Sequence, residues 1–175
     1  SLQFLPSSLD KLANNLDECY FRILSSQIEP ELLPLLRRKG VYPYDYFDCM
    51  EKFNETELPP RELFYNSLND THITEAEYNH ACTVFQTFNM QSLRDYHNLY
   101  VKTDTLLLAD VFEKFRSLCL THFKIDACHT FTLPGYAWQA CLKMTRVELE
   151  LLTDPTMHLF VERGIRGGVS MISNR

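Results

Sequence analysis

No stretch of this 175-residue chain approaches the ~20 consecutive apolar residues that a helix needs to cross a bilayer. No charged, apolar and small-residue tripartite start marks a secretory signal. Glycine is scarce, five in all, and none stands in a Gly-rich nucleotide loop or ahead of a Walker lysine, so that mode of phosphate binding is excluded. Ser, His and Asp occur in none of the hydrolase triad contexts. The six cysteines, Cys19, Cys49, Cys82, Cys119, Cys128 and Cys141, lack framework spacing. Reduced core thiols in an intracellular protein, cytoplasmic or nuclear, are therefore expected rather than a disulfide scaffold. Cys119, His122, Cys128 and His129 lie close together, but their spacing fits no common zinc motif.

What is present suits a soluble globular chain, with 45 % apolar residues and 13 % aromatic. A chain of this length buries roughly 70 % of its unfolded surface. That is enough for one domain, or one domain with a piece of another. The net charge is −6, and the acidity lies before Val101, where the balance is about −7 against about +1 after it. An acidic surface repels phosphates. The local exception is the stretch holding Arg163, Arg166 and Arg175, broken only by Glu162. Such a stretch is equally an ordinary solvated turn, although Gly167 and Gly168 leave backbone free to approach a sugar-phosphate strand.

Local signals divide the chain. Residues 2–5 alternate and predict a strand, and Ser8 caps a first helix carrying Leu9, Leu12, Ala13 and Leu16. ELLPLLRRKG holds Pro34 and ends at Gly40, which predicts a short or broken helix. Residues 41–70 are rich in Pro, Asn, Asp and aromatics without a period, a long irregular excursion in which Tyr42, Tyr44, Tyr46 and Phe47 anchor the loop rather than stack on bases. Thr74 and Glu77 form a capping box ahead of a stripe of Ala81, Val84, Phe85 and Phe88. Ser92 begins the next segment. Farther on, Pro134 marks a first helical turn, Asp154 and Pro155 start a short helix with Gly164 beyond its end, and the residues after Gly168 alternate as a strand.

YVKTDTLLLADVFEKFR places Tyr100 and Asp104 four residues apart where a strongly amphipathic helix is expected to begin. Residues four apart share a helix face, so the phenol and the carboxylate open into one space. The same face carries Leu107, Leu108, Val111, Phe115 and Leu118. The ordinary structural alternative is that Asp104 caps the helix or sits in its first turn. The functional alternative is a metal-binding carboxylate beside a tyrosine that orients water, as two-metal phosphodiester hydrolysis requires. Lys102 could then offset phosphate charge, or be a solvated helix lysine. Asp110, six residues on, lies on a different face and is not assigned to the site.

Several segments resemble the protein-primed branch of family B DNA polymerases, found in viruses, linear plasmids and large self-replicating transposons. YVKTD fits the Tyr-x-x-x-Asp pattern of the third exonuclease motif, and LLLADVFEKFR continues as that helix does. GIRGGVSMISNR is similar to the Gly-Gly segment that joins the exonuclease domain to the polymerase domain and contacts the template strand. SLQFLPSSLDKLANNL resembles the strand and helix between the second and third exonuclease motifs, and TFTLPGYAWQACLKMT and VELELLTDP read like the transposon group. The resemblance implies an α/β, helix-rich fold: residues 1–125 as the C-terminal part of an RNase H-like 3′–5′ exonuclease domain, and residues 126–175 as a connector leading into the palm. It implies Tyr100 and Asp104 as catalytic, Asp104 as ligand to Mg²⁺ or Mn²⁺, and Arg166, Gly167 and Gly168 as DNA-binding. Ile165 departs from the aromatic or basic residue usual there, so stacking is not implied at that position. The partners implied for the intact enzyme are DNA template and primer, deoxynucleoside triphosphates and a terminal primer protein, with no membrane.

The chain lacks the Asp-x-Glu pair of the first exonuclease motif, an Asn at the spacing of the second, and the Asp-x-x-Ser-Leu-Tyr and Asp-Thr-Asp segments of the palm. One carboxylate cannot hold two ions about 4 Å apart. A central polymerase fragment, inactive alone, is therefore expected, and the start at Ser1 agrees with it. The alternative is a domesticated or decayed element acting as a protein-interaction or single-stranded-DNA-binding module. A third reading, a stand-alone nuclease using Asp45, Asp48 and Asp104, requires those loops to converge.

Overall fold

Side chains that satisfy orphan amides set most of the helix starts. In the computed structural model, which describes residues 3–68 and 70–165, the Ser8 hydroxyl accepts from the Lys11 N–H at the head of α1 (Leu9–Asn14). α2 spans Arg22–Gln27 and α3 Leu33–Leu36, a single turn with Pro34 in its first positions. Thr74 and Glu77 close the expected capping box on α4 (Glu75–Thr87). Ser92 and Asp95 close another on α5, which runs Leu93–Phe123. Thr132 caps α6 (Leu133–Thr145), and Asp154 caps α7 (Pro155–Gly164). Left-handed Lys124 and Arg146 end α5 and α6 at the position where glycine is usual.

α5 is the spine. Its 31 residues rise about 46 Å past three apolar clusters. Tyr96 joins Val41, Phe64, Ala81, Val84 and Met90. Leu107 and Val111 join residues from α1, α2 and α3. Cys119 joins Ala127, Tyr136 and Ala140, with Phe115 packed alongside. The stripe thus continues through Cys119, while Leu118 is exposed; steps of four residues from Leu107 lead to Cys119 and not to its neighbour.

The chain is helix-rich, and among the described residues no strand forms. Among the described residues the β contact is an isolated bridge between Asn66 and Thr71. The strand expected at residues 2–5 is not formed where it is described: Gln3 and Phe4 lie in a turn, the Gln3 carbonyl accepts from the Leu133 N–H at 2.9 Å, and Phe4 packs on Phe112 and Phe115. The strand expected after Gly168 lies outside the described residues. The 41–70 excursion is irregular, as read, with three 3₁₀ turns. The expectation of core thiols fails for four cysteines. All six are free, but Cys19, Cys49, Cys128 and Cys141 are exposed and only Cys119 is fully buried.

The C-terminal part is thinly packed. α6 buries Tyr136 and Ala140 against α5, whereas every described residue from Lys143 to Ile165 is exposed. No described helix is long and apolar enough to cross a membrane.

Candidate functional site

α5 begins at Leu93, so Asp104 lies about three turns inside the helix. The capping alternative for Asp104 is thereby removed, because the favourable field of a helix N-terminus fades within the first turn. The sequence places the start late because Val101 and Lys102, both exposed, interrupt the apolar period.

Tyr100 and Asp104 do share one face, and the 41–70 excursion is laid against it. The Tyr42 ring stacks on Tyr100 with centroids 4.5 Å apart. Gly40 lies against the same tyrosine: a Cβ there stands 2.9 Å from Tyr100 Cδ2, so only glycine admits this approach without a shift. The Tyr44 and Tyr100 hydroxyls are hydrogen-bonded to each other. Tyr42 also bonds His97 Nδ1 at 2.6 Å and stacks on Phe47, while Tyr96 donates to the Val41 carbonyl at 2.5 Å. The anchoring role expected of Tyr42 and Phe47 is observed; Tyr44 keeps 44 % of its surface exposed.

The electrostatics follow from this packing. Burial, then the Tyr44 hydroxyl and the Asp104 carboxylate, push the Tyr100 phenol far above its usual range. It is therefore a proton donor at physiological pH, able to orient water or a phosphate oxygen but not to act as a base. Burial raises the Asp104 carboxyl, opposed by the neighbouring Tyr100 phenol and the charge of Lys39. Burial, with a smaller push from Tyr44, raises Tyr42 to about 12.

Three buried side-chain atoms among the described residues have no hydrogen-bond partner: Arg37 Nε, Thr103 Oγ1 and Asp104 Oδ1. Two of the three are adjacent on α5 beside Tyr100. Asp110 supplies the contrast. It is 1 % exposed, and its two oxygens accept from the Ile23 and Leu24 amides at 2.8 and 2.9 Å. It thus caps α2 from another helix, in place of Phe21, whose side chain makes no cap bond. One acid on α5 is fully satisfied by the fold; the other retains a buried oxygen that the described residues leave unmatched.

That orphaned oxygen fits a single metal ligand and no more. Among the described residues, no group of three His, Cys, Asp or Glu is placed to hold an ion. Asp45 accepts from the Ser67 amide and hydroxyl at 2.9 and 3.1 Å, and Asp48 pairs with Lys52 at 2.9 Å. The convergence needed for a self-contained nuclease is therefore not formed. Lys102 is exposed, and the cation whose charge reaches Asp104 is Lys39. Arg166, Gly167 and Gly168 lie outside the described residues. Lys39 and Tyr44 are the contributors that the sequence reading missed, although three consecutive cations before Gly40, in RRKG, were a visible signal. Compared with known protein families, with curated proteins and with solved structures, the chain matches none.

Proposed function

We propose that this chain is the central section of a family B DNA polymerase of the protein-primed branch, reaching from an RNase H-like α/β exonuclease domain, residues 1–125, through a connector, residues 126–175, into the palm. In the intact enzyme Asp104 ligates Mg²⁺ or Mn²⁺, Tyr100 orients water or the scissile phosphate, and Arg166, Gly167 and Gly168 follow the DNA backbone. The partners are DNA template and primer, deoxynucleoside triphosphates and a terminal primer protein. The observation that carries this reading is Asp104 Oδ1, a buried carboxylate oxygen without a partner, one turn from a phenol kept protonated. A divalent ion supplies Lewis-acid activation of water and phosphate when bound. This chain contributes one ligand, an oriented phenol and a water-excluding aromatic wall, so it is inactive alone.

Two measurements test the reading. Single-stranded DNA should bind with salt-sensitive affinity that falls when Arg166 is replaced by Gln, and 5′-labelled single strands should show no 3′ shortening in Mg²⁺ or Mn²⁺. Absence of binding at low salt overturns the DNA assignment. Shortening that disappears in Asp104→Ala overturns the fragment assignment, since the remaining acids must then come from this chain. A second reading, an interaction module, draws on one observation: α7 presents Met157, Leu159, Phe160 and Val161 with none of them buried. It predicts no salt-dependent DNA binding.

A further inference from the structure

Between α5 and α6 opens a groove of about 390 Å³, lined by Phe115, Phe123, Leu133, Ala137, Ala140 and Met144 among others, with no charged side chain in its walls. The phenol of Tyr136, which also lines it, is turned to the Ile125 carbonyl at 3.3 Å. Cations gather at one end. The Lys143 ammonium donates to the Lys124 carbonyl at 2.6 Å, and the two lysines adjoin the groove residues Met144 and Phe123 in sequence. Neither they nor Arg146 make an ion pair among the described residues. α7 carries the complementary features. Met157, Phe160 and Val161 fall on one of its faces at the i, i+3, i+4 spacing; all three are exposed, and no α7 residue lines the groove. The segment leading into α7 holds Glu148 and Glu150, both exposed and without an ion pair among the described residues.

We infer that the groove between α5 and α6 receives α7 of a second copy of this chain, and that the exchange is reciprocal, giving a twofold dimer. Three arguments select this occupant. An apolar groove takes a helix whose apolar face follows the i, i+3, i+4 pattern, and this chain supplies one whose face its own described fold does not cover. Charge matches too: the acidic approach through Glu148 and Glu150 meets the lysines at the groove end, where a basic partner would be repelled. Symmetry then doubles the contact. A helix of ten residues is about 15 Å long and covers little by itself, but a twofold axis repeats each contact and brings the buried area toward the roughly 1,200 Å² at which stable interfaces begin. Such a dimer sits at the weak end of that scale, so single chains prevail at about 1 µM. The contact is independent of the polymerase reading, whose residues lie elsewhere on α5 and beyond Ile165.

Sedimentation velocity on the chain from about 1 to about 200 µM tests this. The parent should pass from the mass of one chain to that of two as concentration rises, and added salt should weaken the dimer several-fold. Phe160→Glu, which charges the α7 face, and Ala137→Glu, which charges an exposed position of the groove, should each raise the dissociation constant at least about tenfold. An equimolar mixture of the two variants should regain a dimer, because it pairs one intact groove with one intact α7. Urea unfolding of each variant confirms that the fold persists, and Met144→Glu, at a side chain 66 % exposed, replaces Ala137→Glu if that variant does not fold. A parent that stays a single chain at the highest concentration overturns the dimer and leaves the polymerase reading as it is, since neither Arg166 nor DNA takes part. Dimers that persist in the groove variant place the contact elsewhere, and a mixture that stays monomeric refutes the pairing of groove with α7; either result overturns the inference.

Discussion

Replacing Asp110 by Ala removes a cap that one helix supplies to another. The Ile23 and Leu24 amides each lose a charge-assisted bond, at 2.8 and 2.9 Å, and such bonds contribute roughly 1.5–3 kcal/mol apiece. Leu24 is 0 % exposed, so its amide recovers no water; Ile23 is only part-buried and recovers some. The expected loss is about 3–5 kcal/mol, a large share of the ~5–15 kcal/mol that stabilises a typical domain. At about 2–4 °C per kcal/mol for a chain of this size, the melting temperature falls roughly 6–20 °C. Asp110→Asn keeps one acceptor and turns an amide donor toward the other N–H, so about half the loss is expected. Urea unfolding followed by far-UV circular dichroism measures both. An Asp110→Ala variant within about 1 kcal/mol of the parent, with an unchanged m-value, would refute the assignment of this acid to capping α2.

Asp104→Asn carries the opposite sign. Burial raises the Asp104 carboxyl in the folded chain, so the folded state holds this proton more tightly than the unfolded one, and stability falls as pH rises from the ordinary value of 3.8 through the raised one. The Asn variant should therefore equal or exceed the parent in urea midpoint at pH 7, with the gap closing as pH approaches 3.8; a less stable variant at pH 7 refutes this. Gly40→Ala should cost about 1–3 kcal/mol, with a changed near-UV tyrosine signal as the Tyr100 ring shifts from a Cβ otherwise 2.9 Å away. Thr74→Ala should cost about 1 kcal/mol, read as a melting temperature lower by about 2–4 °C. Phe160→Ser, at a side chain 75 % exposed, should leave stability within about 0.5 kcal/mol by the same melt.

Legibility followed the range of the interaction. Ser8, Thr74, Pro134 and Asp154 act within a turn or two of themselves, and the helices they start lie where the sequence puts them. The α5 start was misplaced although Ser92 and Asp95 form a capping box, because the expected pattern for the third residue is Glu or Gln and the polar run after Leu93 hides the period. The site was half legible for the same reason. Tyr100 and Asp104 are neighbours through helix geometry, but Gly40, Tyr42 and Tyr44 arrive from 56 to 60 positions away, and nothing local in an irregular segment says which helix face it will cover. Cysteine burial was misjudged because an apolar neighbourhood in sequence does not fix which side of a short helix meets the core.

Two acids six positions apart on one helix thus obey one rule with different outcomes. A carboxylate removed from water must regain its hydrogen bonds. Asp110 regains them from α2, and the geometry is complete within this chain. Asp104 has the Tyr100 phenol beside it, yet its Oδ1 still has no partner among the described residues. Asn or Leu at that position could serve the fold without the desolvation cost. One Asp104 oxygen is left unmatched, with the Tyr100 phenol and the charge of Lys39 acting on the carboxylate, an arrangement that agrees with the metal-ligand role proposed above. On the metal-ligand role proposed above, a divalent ion at this site should stabilise the parent chain against urea more than it stabilises Asp104→Asn.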